Sequence, residues 1–167
     1  MEIGVSIVID ASSIDGAFAA LAPILDFEPS ELMSAIGAMG EMQTRRRISS
    51  EKTSPDGAAW PPNLKGASIL METGQNLLAS IAHSSSAEQA EWGASWEFAH
   101  VHQEGAVITP KSARYLAVPA AAFGAGDGVR FAKSVTIPAR PFVGISDDNA
   151  QEIIDLVTDH FGLGAAQ

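Results

Sequence analysis

The chain has no cysteine, which excludes a disulfide framework and a thiolate zinc site and fits assembly in a reducing cytoplasm. Long apolar runs are missing too: none approaches the roughly 18 residues of a membrane span. The opening Met1-Glu2-Ile3-Gly4 has no basic region of the kind that starts a signal peptide. A soluble, unexported protein is expected, with no membrane partner. Charge is sparse and segregated. Charged residues make up 18% of the chain, with a net charge of −10. Before Arg45 there are only acids, Glu2, Asp10, Asp15, Asp26, Glu28, Glu31 and Glu41. After Arg140 there are again only acids, Asp147, Asp148, Glu152, Asp155 and Asp159. Acidic ends flanking a slightly basic middle can pair head to tail around a ring; solvated faces that happen to segregate are the plainer reading. A pI near 4.6 argues against sequence-independent DNA binding by the whole surface.

What is present is a globular composition, 46% hydrophobic over 167 residues, expected as a single domain spanning residues 1–167. Much of the apolar content is alanine, which contributes little buried area per residue, so further burial against copies of the same chain is an expectation. Ile3, Val5, Ile7 and Ile9 alternate as in a half-buried strand. Ser12 or Ser13 can cap a short helix running through Leu25, strained by Pro23. Pro29-Ser30-Glu31 opens a stronger, long helix with Leu32, Ile36, Met39 and Met42 as its apolar stripe, ending in Arg45-Arg46-Arg47, where cations complement the helix dipole.

Residues 53–67 are rich in turns: Pro55-Asp56-Gly57 supplies turn chemistry and Trp60-Pro61-Pro62 a stiff extended piece. Leu70, Leu77, Leu78 and Ile81 read as a second helix, residues 80–93 as a hairpin, and residues 96–102 as a short aromatic helix or turn ending at Gln103-Glu104-Gly105. Tyr115, Leu116 and Val118 suggest a strand, Phe123-Gly124-Ala125-Gly126-Asp127-Gly128 a flexible tip, and Val135 and Ile137 a last strand before Pro138. Ser146, Asp147 and Asp148 open a C-terminal helix whose Ile153, Ile154, Val157 and Phe161 share a face. The fold class is therefore α+β, a mainly antiparallel sheet packed against helices.

Chemistry-bearing clusters are few. Glu97, His100, His102 and Glu104 are the one grouping of metal-ligand types, but neither helix nor strand periodicity presents all four together, and a site needs convergent ligands with a second shell. No Gly-x-Ser-x-Gly elbow, dinucleotide loop or P-loop is present. Neither catalytic residues nor cofactors are expected. Arg45-Arg46-Arg47, with Lys52 behind, can touch a DNA backbone, touch acids of a neighbouring subunit, or simply finish a helix. The tryptophans Trp60, Trp92 and Trp96 read mainly as core or loop-docking residues.

Four local patterns together resemble the phage virion morphogenesis family, the tail completion proteins of tailed bacteriophages. Pro55-Asp56-Gly57-Ala58-Ala59-Trp60-Pro61-Pro62, after a helix running into arginines, is similar to the family's Pro-Asp-Gly-x-x-Trp element. Leu70-Met71-Glu72-Thr73-Gly74-Gln75-Asn76-Leu77-Leu78-Ala79-Ser80-Ile81 is similar to its Leu-x-x-Thr-Gly-x-Leu-x-x-Ser-Ile element, with one extra residue if Leu78 is the match. Phe98-Ala99-His100-Val101-His102-Gln103-Glu104-Gly105 resembles its aromatic-Ala-x-x-His-Gln-x-Gly turn. Ile137-Pro138-Ala139-Arg140-Pro141-Phe142-Val143-Gly144-Ile145-Ser146 resembles its Pro-Ala-Arg-Pro-Phe-Leu-Gly-Ile strand. The resemblance covers about residues 30–161.

The resemblance implies a non-enzymatic virion protein, assembled in the bacterial cytoplasm and located at the tail or neck. It would complete the tail or join it to the head as a ring, six-fold in symmetry, around the DNA path. Implied partners are further copies of itself, tail tube or tail terminator proteins, head-side connector proteins, and DNA passing through the lumen without specific binding. A tail terminator that caps the tube and a head-side adaptor are the structural alternatives. A small metal-dependent hydrolase using the Glu97–Glu104 cluster and a nucleic-acid-binding regulator using Arg45 to Arg47 are the alternatives from other classes. Interface candidates are Arg45, Arg46, Arg47, Trp60, His102, Gln103, Arg140 and Phe142. Arg140, between two prolines, is expected to aim at a carboxylate of its own or a neighbouring subunit. Asp56-Gly57 should let Trp60 fold back as an anchor, and His102 and Gln103 should satisfy backbone groups near the turn at Gly105.

Overall fold

The structure, a computed structural model, describes residues 27–63, 68–71 and 75–163; the expected opening strand and the helix ending at Leu25 lie outside them. Helix α1 (Pro29–Arg46) begins with proline in its first turn, where the missing N–H would have had no intrahelical partner. Glu31 stands in the first turn and Arg45 and Arg46 in the last, each sign matched to the dipole end it faces. The helix runs on as a π-helical turn, Arg47–Glu51, and stops at Lys52, whose left-handed φ of 58° lets its N–H close onto the Arg47 carbonyl.

The buried face of α1 follows the expected apolar stripe only in part, with Ile36 and Met39 half-buried. Leu32 is buried, but Met42 is 50% exposed; the enclosed positions further along are Gly37, Gly40, Gln43 and Thr44. The cause lies in the hairpin against which α1 packs. Strands β1 (Ile81–Ser85) and β2 (Ala90–Ala94) pair antiparallel with His83 opposite Trp92, so both side chains leave the same face. A methyl group at Gly40 would lie 2.3 Å from the Trp92 ring, and one at Gly37 would lie 2.9 Å from His83. The glycines make room for these rings, and His83 Nδ1 meets Glu41 Oε2 at 2.7 Å.

The helix expected over residues 70–81 is shorter. Leu70 sits in a turn with φ 57°, helix α2 covers Gln75–Ala79, and Ile81 already begins β1. The apolar positions are right all the same: Leu70, Leu77 and Ile81 join Ile48, Trp60, Ala99 and Phe142 in one core cluster. A short helix α3 (Ala99–Glu104) follows, ending at Gly105 with φ 75°. The C-terminal helix α4 (Asp147–His160) is capped by Ser146, whose hydroxyl accepts from the Asn149 N–H at 3.2 Å.

Between α3 and α4 the chain forms a nested hairpin. Strands β3 (Ala106–Ile108) and β6 (Val135–Ile137) pair at its base, and β4 (Leu116–Pro119) and β5 (Val129–Ala132) pair beyond them. A 3-10 turn over Ala120–Phe123 lies at the tip. The outgoing side carries residues 109–115 as an excursion opposite only residues 133–134. The fold is α+β, and among the described residues its antiparallel pairing is divided among three two-stranded ladders.

Candidate functional site

The extended segment Arg140 to Gly144 is the crossing point of the chain. Prolines flank Arg140 and remove backbone donors, so a regular ladder cannot form there, yet a buried backbone still needs partners. Side chains from other elements supply them. Gln103, near the end of α3, accepts from the N–H groups of Phe142 and Val143 at 3.0 and 3.1 Å and donates to the Val143 carbonyl at 3.0 Å. Arg47 donates to the carbonyls of Phe142 and Gly144 at 3.2 and 2.8 Å and to Asn149 Oδ1 on α4. Trp60 Nε1 donates to the Pro141 carbonyl at 3.0 Å. The Arg140 N–H reaches the His102 carbonyl at 2.7 Å.

Trp60 folds back as its turn predicts. Gly57 N–H bonds to the Ser54 carbonyl and Trp60 N–H to the Lys52 carbonyl, while Asp56 Oδ1 accepts from the Ala58 N–H at 3.1 Å. The indole ends 4% exposed in the core. Pro55 of this loop lies where a side chain at Gly144 would be, 2.5 Å from an added methyl, so that glycine admits the loop.

Among the described residues, Arg140 meets no carboxylate. It donates to the carbonyls of Pro61 at 2.9 Å and Pro62 at 3.1 Å, which proline-rich backbone leaves without a ladder partner. Nor does the His102 side chain satisfy backbone groups among the described residues. Its ring stacks on Trp96 with centroids 5.8 Å apart, and its Nδ1 is buried without a hydrogen-bond partner. Burial, and next the Arg140 charge, hold its pKa below the ordinary value, so the neutral ring is favoured. Gln103 does serve backbone groups, but those of Phe142 and Val143 rather than the turn at Gly105.

The three consecutive arginines have different surroundings. Arg47 is 1% exposed, and burial lowers its pKa from the ordinary value. Arg45 bonds to Glu41 and to the carbonyls of Leu78 and Ile81 at 2.8 and 2.6 Å. Arg46 joins Glu51 and Glu152, and those carboxylates raise its pKa. Glu152 also accepts from Gln43 at 2.8 Å, tying α4 to α1. Of the eight interface candidates, Arg47, Trp60, Arg140 and Phe142 are enclosed by their own chain. Among the described residues no three of His, Cys, Asp and Glu are placed to hold a metal ion, and Glu97, His100 and Glu104 are exposed.

An open apolar surface lies on the nested hairpin. Directly opposed residues of an antiparallel pair share a face, so Ala117 with Phe131 and Pro119 with Val129 make one side of the β4–β5 ribbon. All four are exposed, Phe131 at 72% and Val129 at 58%. This side is entirely apolar. The other side carries Leu116, Val118 and Ala132, each half-buried, with Arg130. The ribbon packs chiefly on itself and its own turn, and an isolated two-stranded ribbon is marginally stable in water. Its base is rooted at the crossing: a methyl at Gly105 would lie 2.7 Å from the Ala139 nitrogen. The sequence reading missed this face, along with Gly37, Gly40 and Asn149. The signal that could have revealed it is the alternation of Val129 and Phe131 just after the Gly-rich tip, as in a strand returning along Leu116 to Val118.

A comparison with known families matches residues 9–162 to the phage virion morphogenesis family. No curated protein and no solved structure matches the chain.

Proposed function

The chain belongs to the phage virion morphogenesis family, so its role is in virion assembly, and from that premise we propose that it is a non-enzymatic structural subunit of the head–tail junction. In this reading it completes the tail and joins it to the head as a closed ring of six copies around the DNA path. Tail tube or terminator proteins lie on one side and head-side connector proteins on the other. The exposed apolar face of the β4–β5 ribbon carries the proposal. Contiguous exposed apolar surface marks an interaction site, and a ribbon of this kind gains stability when a partner covers it. The crossing supports the same reading, since its hydrogen-bonding side chains serve to hold the chain's own backbone. The net charge of −10 suits a lumen past which DNA slides without sticking. No helix among the described residues is long and apolar enough to cross a membrane.

The test is negative-stain microscopy of a lysate from phage lacking this protein, with and without complementation. Full heads beside unattached tails, restored to whole virions by the wild-type chain, are the expected result. Tails of aberrant length would instead favour a terminator, and normal infectious virions would overturn the assignment.

A further inference from the structure

The nested hairpin differs from the rest of the chain in charge as well as in exposure. From β3 to β6 it carries four basic residues, Lys111, Arg114, Arg130 and Lys133, against one acid, Asp127. No carboxylate among the described residues pairs with any of the four. Arg114 and Arg130 lie instead over the rings of Tyr115 and Phe123. Helix α4 is the complement. It has five acids and neither lysine nor arginine. Glu152 is turned inward to Arg46 and Gln43, whereas Asp148, Asp155 and Asp159 are exposed. Those three stand seven and four residues apart, along one edge of the helix. Ile154, 54% exposed, lies about a third of a turn round the helix from that edge.

We propose that the apolar face of the β4–β5 ribbon docks on the exposed acidic face of α4 in the next copy of this chain. Phe131 and Val129 would cover Ile154, while the basic rim of the hairpin meets Asp148, Asp155 and Asp159. The two surfaces are different, so the contact is heterologous. A heterologous contact repeats from copy to copy and closes into a ring when its rotation allows. Like charges would oppose ribbon-on-ribbon and helix-on-helix pairing, which selects the head-to-tail arrangement. This inference rests on the ring reading above and says which surfaces form the ring.

The absence of native cysteine makes disulfide trapping clean. Ala117→Cys on the ribbon and Gln151→Cys on α4 are both exposed positions that leave Phe131 and Ile154 in place. The full chain carrying both, in phage particles and as purified protein, should give a ladder of covalent multimers on mild oxidation. Neither single variant should give one. A dimer from Ala117→Cys alone would show ribbon-on-ribbon pairing and overturn the proposal. No cross-link in particles that hold several copies per virion would overturn it too, while leaving the ring reading intact. One copy per virion would remove the ring reading itself. As a second arm, Lys133→Glu should lose assembly and Asp155→Lys in the same chain should restore it. Unchanged assembly by the folded single variant would count against the charged rim.

Discussion

Trp60 and Arg140 each hold a carbonyl beside the other. The indole of Trp60 donates to the carbonyl of Pro141, and the guanidinium of Arg140 donates to those of Pro61 and Pro62. Two proline-stiffened segments, neither able to join a ladder, are thus clasped by reciprocal side-chain donors. Lysine keeps the charge of Arg140 but cannot span two carbonyls with a planar fork. Arg140→Lys is therefore expected to destabilise the fold by about 1–3 kcal/mol, and Trp60→Phe, which keeps most of the ring, by about 1 kcal/mol. Urea unfolding measures both; an unmoved midpoint for Arg140→Lys would mean that the fork does not stabilise the clasp.

Gly40 gives a prediction whose sign reverses with its neighbour. Alanine is favoured over glycine inside a helix by roughly 0.5–1 kcal/mol, yet here its methyl would lie 2.3 to 2.7 Å from three atoms of Trp92. Overpacking of that kind costs about 1–3 kcal/mol, so Gly40→Ala should destabilise. In a Trp92→Ala background the obstruction is gone, and the same change should stabilise. A double-mutant cycle reads the coupling, and additive effects would mean that the contact is not tight.

How far the sequence carries the structure depends on which atoms do the contacting. The start of α1, the hairpin at residues 80–93, α4 and its Ser146 cap were legible because side-chain type and spacing decide them locally. The buried face of α1 was not, because Gly37 and Gly40 contribute space rather than hydrophobicity, and only Trp92 and His83 from another element fill it. The crossing was half-legible. Its motifs were recognisable, and Trp60 folds back as Asp56-Gly57 suggests. But the partners of Arg140 and Arg47 are carbonyl oxygens, which every residue has and no residue type announces. Strands β3 and β5 are three and four residues long, too short for periodicity to show, and their nested pairing is a property of distant segments.

Helix position separates the three arginines by stability rather than by charge. Arg47→Ala would strand the carbonyls of Phe142 and Gly144 and the amide of Asn149 in a buried site, for a loss of roughly 3 kcal/mol or more. Arg45 caps two carbonyls from a half-exposed position, and Arg45→Ala should cost about 1–2 kcal/mol. Arg46→Ala removes ion pairs with partly exposed partners and should cost about 0–1 kcal/mol. Thermal unfolding of the three variants checks the order. Equal losses would mean that the burial of Arg47 is not what sets it apart.

His102 should make stability depend on pH in a window of its own. Its folded pKa is held below the ordinary 6.5 by burial first and Arg140 second. The unfolded chain therefore takes up protons first as pH falls. The stability from the neutral ring is complete above about 6.5 and is lost as pH drops from there toward the folded pKa. His102→Phe keeps an aromatic ring beside Trp96 and should remove this slope. A second loss should remain at lower pH in both proteins. Hydrogen bonds, from His83 and then Arg45 to Glu41 and from Gln43 and then Arg46 to Glu152, depress those carboxylates below 4.5. Their contribution is present above that value and lost below it. Melting curves from pH 7.5 to 3.5 separate the windows, and an unchanged slope in His102→Phe would assign the upper one to another group.

Phe131 and Phe142 separate folding from assembly. Phe142 is 1% exposed in the core and Phe131 is 72% exposed on the ribbon. Phe142→Ala leaves a cavity among Ile48, Trp60 and Leu77 and should cost about 3–5 kcal/mol. Phe131→Ser removes a side chain that water already surrounds, and the single chain should change by no more than about 0.5 kcal/mol. Both variants should fail to complement a phage lacking the protein, for different reasons: the first because the chain does not accumulate folded, the second because a folded chain has lost the face it assembles through. Circular dichroism on each purified chain, set beside plaque counts, resolves the two. Full complementation by Phe131→Ser would show that the exposed apolar face is not used in the virion, and the ribbon would then lose its part in the proposed ring.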